Sequence, residues 1–459
     1  MDIDRKSWIA LVTGIFLIIA ALLSGEILAG ELERLNGEVG LDKIIVSPLY
    51  GIKDQGQDRL EIETLEKLKE KMSAYLISYS TYQETVAQFE GRSMSVCVDA
   101  VDASLTKFKS LNFVKGGYWS ADTDIEQGMV GVIDSEAAVR LFGSTDVVGK
   151  MLKLEDKEYR IIGVMQEKTS LINKLFYDGR CHIYIPISSF MEDNKEAEIR
   201  EVQITDSKEV RMDRNEIEAA LGFIGESPEK YSMMDFRKKS QQLRQKSQLI
   251  IFFIGLLIEV MLFKLGKKIV FKALLLMKKE CKTDYLQNVV KRRYRELLGT
   301  LVTIFAILCT AVFIILTIRF DLYIPVDLIP DELIDLAFFG RLIENELQGG
   351  MASVEQYRTL THIQFSRVNK LQDFVFVVLV PLGFVLMHYG YANIKLNWGN
   401  IAKIISLLSA VLASEVFIWM LLSRLGGFSM FLNFHSLIIV WGFIFLKMIM
   451  VCLKEDFKC

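Results

Sequence analysis

Hydrophobic residues in this chain are concentrated in six long runs, separated by segments in which apolar and polar residues are interspersed. The runs cover residues 8–23, 249–265, 297–318, 374–391, 401–422 and 431–453. A helix needs about 20 mostly apolar residues to cross the hydrocarbon core of a bilayer, with a range of roughly 17 to 25. The pattern therefore predicts about six transmembrane helices.

The segment between the first two runs, residues 30–246, has the mixed pattern of a folded α+β domain. Helical periodicity covers residues 59–72, 214–221 and 235–248, and strand-like runs cover 74–82, 93–101, 130–133, 182–187 and 201–205. A segment of about 215 residues is large enough to bury its own core. We predict an α-helical membrane bundle with a large α+β extracytoplasmic domain inserted between the first and second spans. The last helical stretch leads straight into the second span.

Residues 134–165 carry the clearest local pattern in this segment. Asp134 and Ser135 are suited to cap a short helix, and Gly143 stands where a left-handed residue would end it. Two apolar-rich runs, 151–154 and 159–164, follow and meet at Asp156 and Lys157. The pattern predicts a short helix followed by a β-hairpin.

Composition and charge agree with a membrane protein and give its orientation. The chain has 459 residues, of which 51% are hydrophobic, and a formal net charge of −3. Its mean hydropathy is +0.29. Lysine and arginine gather in residues 266–298, which the positive-inside rule places in the cytoplasm. Six spans then put both termini in the cytoplasm and the segments 30–246 and 321–373 outside, in a multi-pass protein of the cell membrane.

The first apolar run has a second interpretation as a cleaved signal peptide. Arg5 and Lys6 precede the run, as in a signal peptide, but no small-x-small cleavage site is clear near residues 28–30. An uncleaved anchor is favoured. The predicted organisation is an N-terminal end with the first span (1–29), the outer domain (30–246), two spans (247–320) with the basic segment 266–298, an outer loop (321–373), and three spans with a short tail (374–459).

The outer segment resembles the MacB-type periplasmic core domain of ABC transporter permeases. The resemblance is carried by "LNFVKGGYWSADTD", "VGVIDSEAAVRLFGSTDVVGKMLKL", "EYRIIGVM" and "CHIYIPISSF", which occur in the order typical of that family. Val147 and Val148 stand where the family often has proline and valine. This resemblance implies a mechanotransmitting permease that moves its outer domain.

Residues 267–304 are similar to the cytoplasmic segment of the FtsX-like permease domain. Lys272, Ala273 and Leu274 match its conserved "kAl" element, whereas Leu275 replaces the expected glycine. The resemblance implies that Lys272–Leu275 couples to a separate cytoplasmic ABC ATPase subunit, and that a second permease copy or a paralogue completes the assembly. The final two spans look like an addition to the four of the standard family.

A basic amphipathic helix is predicted within the same segment. One apolar face combines Leu286, Val289, Val290 and Leu297, with basic residues on the other faces. Such a helix lies at the inner membrane surface, either bound to anionic lipid of the bilayer or docked on the ATPase, and both uses are compatible.

Enzyme motifs are absent from the sequence. The phosphate-binding pattern G-x-x-x-x-G-K-[ST] does not occur, so ATP hydrolysis is expected in a partner chain. The four histidines are scattered, and no catalytic, cofactor or metal site is predicted; no nucleic-acid partner is expected. Cys97 and Cys181 are open to two interpretations, a disulfide or two buried thiols.

Glu259 in the second run and Glu415 in the fifth are candidate functional residues, because an ionisable group is costly inside a bilayer. They take part in coupling or substrate passage, or else each forms hydrogen bonds within the bundle or lies near an interface. The predicted function is an ABC permease subunit for efflux of peptides, antibiotics or lipidated molecules. The alternatives are an FtsX-like signalling permease that regulates a cell-wall hydrolase, and a membrane receptor or scaffold without transport.

Overall fold

A computed structural model describes residues 5–48, 60–166, 179–192, 194, 198–206, 212–282, 285–324, 329, 337, 340, 359–394, 401–427 and 433–455. The helices in these ranges are α1 (Arg5–Leu35), α2 (Ile62–Lys71), α3 (Leu105–Phe108), α4 (Ala121–Ile125), α5 (Ser135–Phe142), α6 (Ile187–Met191), α7 (Arg214–Phe223), α8 (Phe236–Glu280), α9 (Leu286–Arg292), α10 (Tyr294–Ile318), α11 (Leu360–Asn393), α12 (Ile401–Gly426) and α13 (Phe434–Glu455). The strands are β1 (Lys43–Pro48), β2 (Leu76–Phe89), β3 (Arg92–Val101), β4 (Phe113–Gly116), β5 (Val130–Asp134), β6 (Met151–Leu154), β7 (Lys157–Met165), β8 (His182–Pro186), β9 (Glu201–Thr205) and β10 (Tyr231–Asp235).

The strands form a ten-stranded mixed sheet between α1 and α8 in the sequence. Its order is β10-β1-β9-β2-β3-β8-β5-β7-β4, and β6 pairs with both β2 and β7. The pair β3 and β8 is parallel and lies near the middle of the sheet. The predicted strands are confirmed in position, whereas β1, β4 and β10 were not predicted from the sequence.

The two faces of the sheet carry different cores. One face packs against α2, α5, α6 and α7, through residues such as Leu65, Leu141, Ile187 and Leu221. The opposite face has a smaller apolar cluster around Trp119, Val132 and Tyr184. Polar side chains, among them Lys43, Asp99 and Gln203, also lie on that second face.

The helix and hairpin predicted at residues 134–165 are confirmed. The Asp134 carboxylate accepts hydrogen bonds from the amides of Glu136 and Ala137 and so caps α5. Gly143 ends the helix at φ 75°, a left-handed value that glycine adopts without a steric penalty. Strands β6 and β7 then pair antiparallel, with Leu154 opposite Lys157.

Six helices in the described ranges are long and apolar enough to span a membrane, as the sequence predicts: α1, α8, α10, α11, α12 and α13. Three of them, α1, α8 and α11, extend well beyond their apolar runs. Helix α8 has 45 residues and includes the predicted stretch 235–248 almost entirely, so the expected continuity with the second span is confirmed. Helix α11 has 34 residues and begins at Leu360.

The predicted amphipathic helix over Leu286–Leu297 is wrong in its extent. Helix α9 ends at Arg292, and Arg293 has φ −107° and ψ 17°, outside helical geometry, before α10 begins at Tyr294. Of the four residues assigned to one apolar face, Leu286 is 61% exposed and Val289 only 1%. The break divides the apolar positions between two helices, which periodicity alone did not reveal. The sequence of the outer loop also predicts a short amphipathic helix at residues 331–347, and all of this range except Ala337 and Gly340 lies outside the described residues.

Helices α1 and α11 approach each other through glycines. A Cβ atom placed on Gly14 would lie 2.6 Å from the backbone of Gly383 and of Met387, and one on Gly390 would lie 2.7 Å from Leu11 Cβ. Contacts of this length need small residues, which let helix backbones approach closely in membranes. We call the contact of Gly14 with Gly383 and of Gly390 with α1 the glycine seam.

We expect Gly14→Ala to lower the melting temperature of the detergent-solubilised protein, because the added methyl group meets backbone atoms that cannot move aside. Overpacking of this kind costs about 1–3 kcal/mol. The control is Gly442→Ala in α13, where a Cβ meets no atom within 4 Å. Since alanine is the better helix former by up to about 1 kcal/mol, the control is expected to be neutral or slightly stabilising. Equal melting temperatures for both variants would contradict the close contact of α1 and α11.

Candidate functional site

The place where the sheet meets the helices is the strongest candidate for a functional site. Strand β1 follows α1 after a short turn, and β10 passes directly into α8. The two strands pair antiparallel, from Ile44 opposite Asp235 to Pro48 opposite Tyr231. One edge of the sheet is thus joined by covalent chain to two candidate transmembrane helices. We call this region, with the ends of α1, α8 and α11 that meet it, the junction.

The transition from β10 to α8 is held by Asp235 and Arg237. The Asp235 carboxylate accepts a hydrogen bond from the Arg237 amide at 3.0 Å and from its guanidinium Nε, also at 3.0 Å. The Arg237 guanidinium also donates to the Met212 carbonyl oxygen at 2.8 Å. No loop separates strand from helix, so the direction of α8 is fixed relative to the sheet.

An apolar cluster fills the junction. It is formed by Ile27, Leu28, Ala29, Leu32, Leu41, Ile45, Phe236, Leu243, Phe365 and Val368. Leu32 and Phe236 have no exposed surface. The rings of Phe236 and Phe365 meet edge to face, with centroids 6.1 Å apart. The sheet, α1, α8 and α11 therefore share one core here.

Ionic and polar contacts surround this cluster. Arg244 of α8 donates to both carboxylate oxygens of Glu33 in α1 at 2.6 Å. Lys246 of α8 contacts Asp373 of α11 at 2.5 Å. The Gln372 side-chain amide donates to the Leu243 carbonyl oxygen at 3.1 Å. Helix α8 is thus tied to α1 on one side and to α11 on another.

A buried lysine connects the end of α1 to the middle of the sheet. Lys43 of β1 has no exposed surface, and its Nζ donates to Asn36 Oδ1 and to Gln203 Oε1, both at 2.7 Å. Asn36 in turn donates to the Leu32 carbonyl oxygen in the last turn of α1, at 2.7 Å. Gln203 donates to Glu201 at 2.7 Å. We call these four side chains the Lys43 network.

Burial shifts the pKa values of Lys43 and Glu201 in opposite directions. It lowers the pKa of Lys43 and raises the pKa of Glu201, because each charged form loses its hydration. The charge of each residue partly offsets the shift of the other. The sequence analysis missed this network. The only sign of it is a lysine at the start of the short apolar run "KIIVSP".

The predicted coupling residues lie far from the junction on the same helix. Lys272, Ala273, Leu274 and Leu275 are in the last third of α8. Leu274 is 59% and Leu275 51% exposed. Leu274 also lines an open apolar groove of 480 Å³ between α8 and α10. At 1.5 Å per residue, Lys272 is about 43 Å along the helix axis from Leu243.

Part of the chain matches a known protein family. Residues 8–220 match the family model of the MacB-like periplasmic core domain. Because of this similarity, we call the part of the chain that carries the sheet the MacB-like domain. The resemblance to MacB/FtsX-type permeases predicted from the sequence is confirmed. The family model covers α1 from Trp8 onward, the strands β1 to β9 and the first seven residues of α7, and it ends before β10 and α8.

Individual relatives are distant. The macrolide export ATP-binding/permease protein MacB of Shewanella sp. (strain W3-18-1) is 18% identical over 169 residues, which is 36% of this chain and 26% of the relative. The periplasmic region of MacB from Actinobacillus actinomycetemcomitans is 15% identical at a TM-score of 0.37, over 44% of this chain and 92% of that one. The extracellular domain of the noncanonic ABC-type transporter YknZ from Gram-positive bacteria is 15% identical at a TM-score of 0.33, over 42% and 99%.

The two glutamates singled out from the sequence lie in candidate spans outside the MacB-like domain. Glu259 is in α8, and Glu415 is in α12 with 4% of its surface exposed. Glu259 Oε1 and both Glu415 carboxylate oxygens are buried without a hydrogen-bond partner among the described residues. Hydrogen bonds within the bundle, the alternative interpretation, are therefore not seen for these oxygens. Their functional role stays a prediction.

The cysteines of the MacB-like domain are free thiols. Cys181 packs in the apolar core with Val96, whereas Cys97 lies opposite His182 in the β3–β8 register and faces the other side. Side chains on opposite faces of a sheet cannot form a disulfide. Burial raises the pKa of both thiols, that of Cys181 to about 11. Cys97, Asp99 and His182 form a group of metal-donor atoms that the sequence analysis missed, because two strands far apart in the chain contribute them.

We expect Lys43→Met to destabilise the MacB-like domain by about 3–5 kcal/mol, because Glu201 would remain buried without its cation. The loss of stability is measured by hydrogen–deuterium exchange of the full chain in detergent. We expect the backbone amides of β1 and β9 to exchange at least about hundredfold faster in the variant. Adding Glu201→Gln to Lys43→Met should recover part of the loss.

The matched control is Lys107→Met. Lys107 pairs with Glu38 at 2.8 Å, with the two side chains 50% and 73% exposed. An exposed pair contributes at most about 1 kcal/mol. Similar exchange rates in the Lys43→Met and Lys107→Met variants would show that the Lys43 network does not stabilise the junction.

Proposed function

We propose that this chain is the permease subunit of an ABC transporter that transmits motion from a separate cytoplasmic ATPase to the MacB-like domain. In this proposal the MacB-like domain lies outside the membrane, within residues 30–246, and both chain termini lie in the cytoplasm. Movement of that domain performs the work, which is expulsion of peptides, antibiotics or lipidated molecules. A second permease copy or a paralogue completes the transporter.

One observation carries the proposal: α8 is a single helix from the junction to the predicted coupling residues. Its 45 residues span about 68 Å at 1.5 Å per residue. The hydrocarbon core of a bilayer is only about 30 Å thick. A continuous helix of this length carries a displacement at its cytoplasmic end to the sheet without an intervening hinge.

The charge distribution supports the orientation. The end of α8 carries Lys278 and Lys279, and α9 carries Lys291 and Arg292. Basic residues next to a span favour the cytoplasmic side. The neighbouring carboxylate Glu280 contacts Arg292 at 2.9 Å and Arg293 at 2.5 Å, which folds α9 against the end of α8. The proposed docking face for the ATPase is therefore a structured surface of α8 and α9.

Exposed apolar side chains support coupling at Lys272–Leu275. Leu274 and Leu275 expose about half of their surface or more. Leucine side chains next to lysine suit an interface with a partner protein, because the leucines supply apolar area and the lysine supplies orientation. The groove between α8 and α10 continues this surface toward the membrane.

We expect the paired substitution Leu274→Asp and Leu275→Asp to abolish co-purification of an ABC ATPase with the tagged full chain. Two carboxylates in the centre of an apolar interface would lose their hydration without partners. Mass spectrometry of the material purified in mild detergent, with an ATPase assay, measures the result. The control is Phe223→Asp in the MacB-like domain, where the phenylalanine is 73% exposed and lies on the other side of the proposed membrane.

Recovery of the unmodified protein without any nucleotide-hydrolysing partner, also after crosslinking in intact membranes, would contradict the proposal and favour a receptor or scaffold. An ATPase that co-purifies equally with both variants would contradict only the assignment of Leu274 and Leu275 as coupling residues. The proposal that the chain is a permease subunit would stand. Efflux measured in cells separates transport from the FtsX-like alternative. A signalling permease would change the activity of a cell-wall hydrolase and leave efflux unaltered.

A further inference from the structure

Three metal-donor side chains meet on the polar face of the sheet, away from the junction. Cys97 and Asp99 are two residues apart on β3 and therefore point to the same face. His182 begins the neighbouring parallel strand β8 directly opposite Cys97. One donor atom from each residue lies within 4.8 Å of the others. We call this group the Cys97–Asp99–His182 cluster.

The cluster is largely enclosed but reachable from solvent. Cys97 is buried, and the side chains of His182 and Asp99 are 11% and 20% exposed. His182 Nδ1 contacts Asp99 Oδ2 at 2.6 Å. The Cys97 Sγ lies within 4.8 Å of a ring nitrogen of His182. Both strands lie in the interior of the sheet, so the backbone that presents the three donors is rigid.

The donor set has the chemistry of a zinc site. Thiolate, imidazole and carboxylate are the three side-chain ligands that Zn²⁺ takes in proteins, at about 2.0–2.3 Å from the metal. Tetrahedral geometry at those bond lengths separates neighbouring donors by roughly 3.3–3.6 Å. The contact between His182 and Asp99 would have to open by about 0.7 Å, and the widest donor pair, which lies within 4.8 Å, would have to close by at most about 1.5 Å.

We propose that the Cys97–Asp99–His182 cluster binds one Zn²⁺ ion, with Cys97 Sγ, an Asp99 carboxylate oxygen and an imidazole nitrogen of His182 as ligands. On binding, the Cys97 thiol releases its proton to solvent, and the metal charge stabilises the thiolate. Water occupies the fourth position. Glu84 lies opposite Cys97 on β2, but its carboxylate already forms an ion pair with Arg180 at 2.6 Å. It is therefore not assigned as the fourth ligand.

Binding would have a mechanical consequence for the MacB-like domain. Strand β3 belongs to the half of the sheet that continues to the junction, and β8 begins the half that ends at β4. A metal ion held by both strands bridges these halves by side chains, in addition to the hydrogen bonds of the parallel pair. Zinc binding would use only residues of the sheet, and it does not depend on the proposed transport function.

Zinc binding to the full chain in detergent tests the proposal. The protein is treated with a chelator, dialysed against micromolar ZnCl₂, and analysed for bound metal by mass spectrometry. We expect one zinc ion per chain and a higher melting temperature with zinc than without it. Cobalt(II) in place of zinc should give a sulfur-to-metal charge-transfer band, which reports thiolate ligation directly.

Cys97→Ser and His182→Gln should each weaken zinc binding by more than about 100-fold and remove the cobalt charge-transfer band, because each deletes a direct ligand. Asp99→Asn should weaken binding by about 10- to 100-fold. Cys181→Ser is the matched control, since Cys181 is next to His182 in the chain but faces the apolar core. That variant should bind zinc as the unmodified protein does.

Circular dichroism of the metal-free variants checks that each one folds. Should a folded unmodified protein retain no zinc at micromolar concentration, the cluster is a buried His–Asp pair beside an inert thiol, and the proposal is overturned. Zinc retained equally by Cys97→Ser and by the unmodified protein would place the metal elsewhere in the chain and overturn it as well.

Discussion

Backbone pairing between β1 and β10 is the constraint on which the rest of the structure depends. Each of these strands is continuous with, or one short turn from, a helix that is long and apolar enough to span a membrane. The five paired positions from Ile44–Asp235 to Pro48–Tyr231 hold the two chain segments in register. A shift of α1 along α8 would break these hydrogen bonds, so the sheet responds to relative movement of the two helices.

Polar groups at the junction limit how it can move. The Lys43 network is enclosed, and a buried hydrogen bond that opens leaves groups without partners at a cost of about 1–3 kcal/mol each. The Arg244–Glu33 contact is half exposed, so water can replace it at much lower cost. Movement therefore favours separation of α8 from α1 at their exposed contacts, while β1 and the end of α1 stay joined.

The sequence predicted those elements whose determinants are local. Asp134, Gly143 and the alternation in β6 and β7 define the helix and hairpin without help from distant residues. Helix α8 was predicted to continue into the second span because the helical stretch 235–248 ends where the apolar run 249–265 begins. Strand β1 escaped detection because it is six residues long, ends in Pro48 and is stabilised by partners about 160 and 190 residues away. The helix break at Arg293 has no proline or glycine to mark it.

The candidate sites also fall into two groups, those visible in the local sequence and those formed by contacts between distant residues. Lys272–Leu275, Glu259 and Glu415 were found because a short motif or a charge within an apolar run is visible in sequence. Their roles stay predictions. Lys43, Asn36 and Gln203 could not be found, because what distinguishes them is mutual contact across strands. His182 was dismissed as isolated, since Cys97 and Asp99 become its neighbours only through the parallel pairing of β3 with β8.

The glycine seam has a consequence for how the helices are grouped. Because α1 and α11 touch through backbone at Gly14, Gly383 and Gly390, no side chains separate the two helices at these positions. Helix α8, by contrast, packs against α10 and α13 through interlocking side chains, including Ile254, Ile258, Ile314 and Ile318. The helices then form a fixed frame of α1 with α11 and a lever of α8 with its two neighbours. Separation of these two groups of helices would have to break the Lys246–Asp373 contact, because Lys246 belongs to α8 and Asp373 to α11.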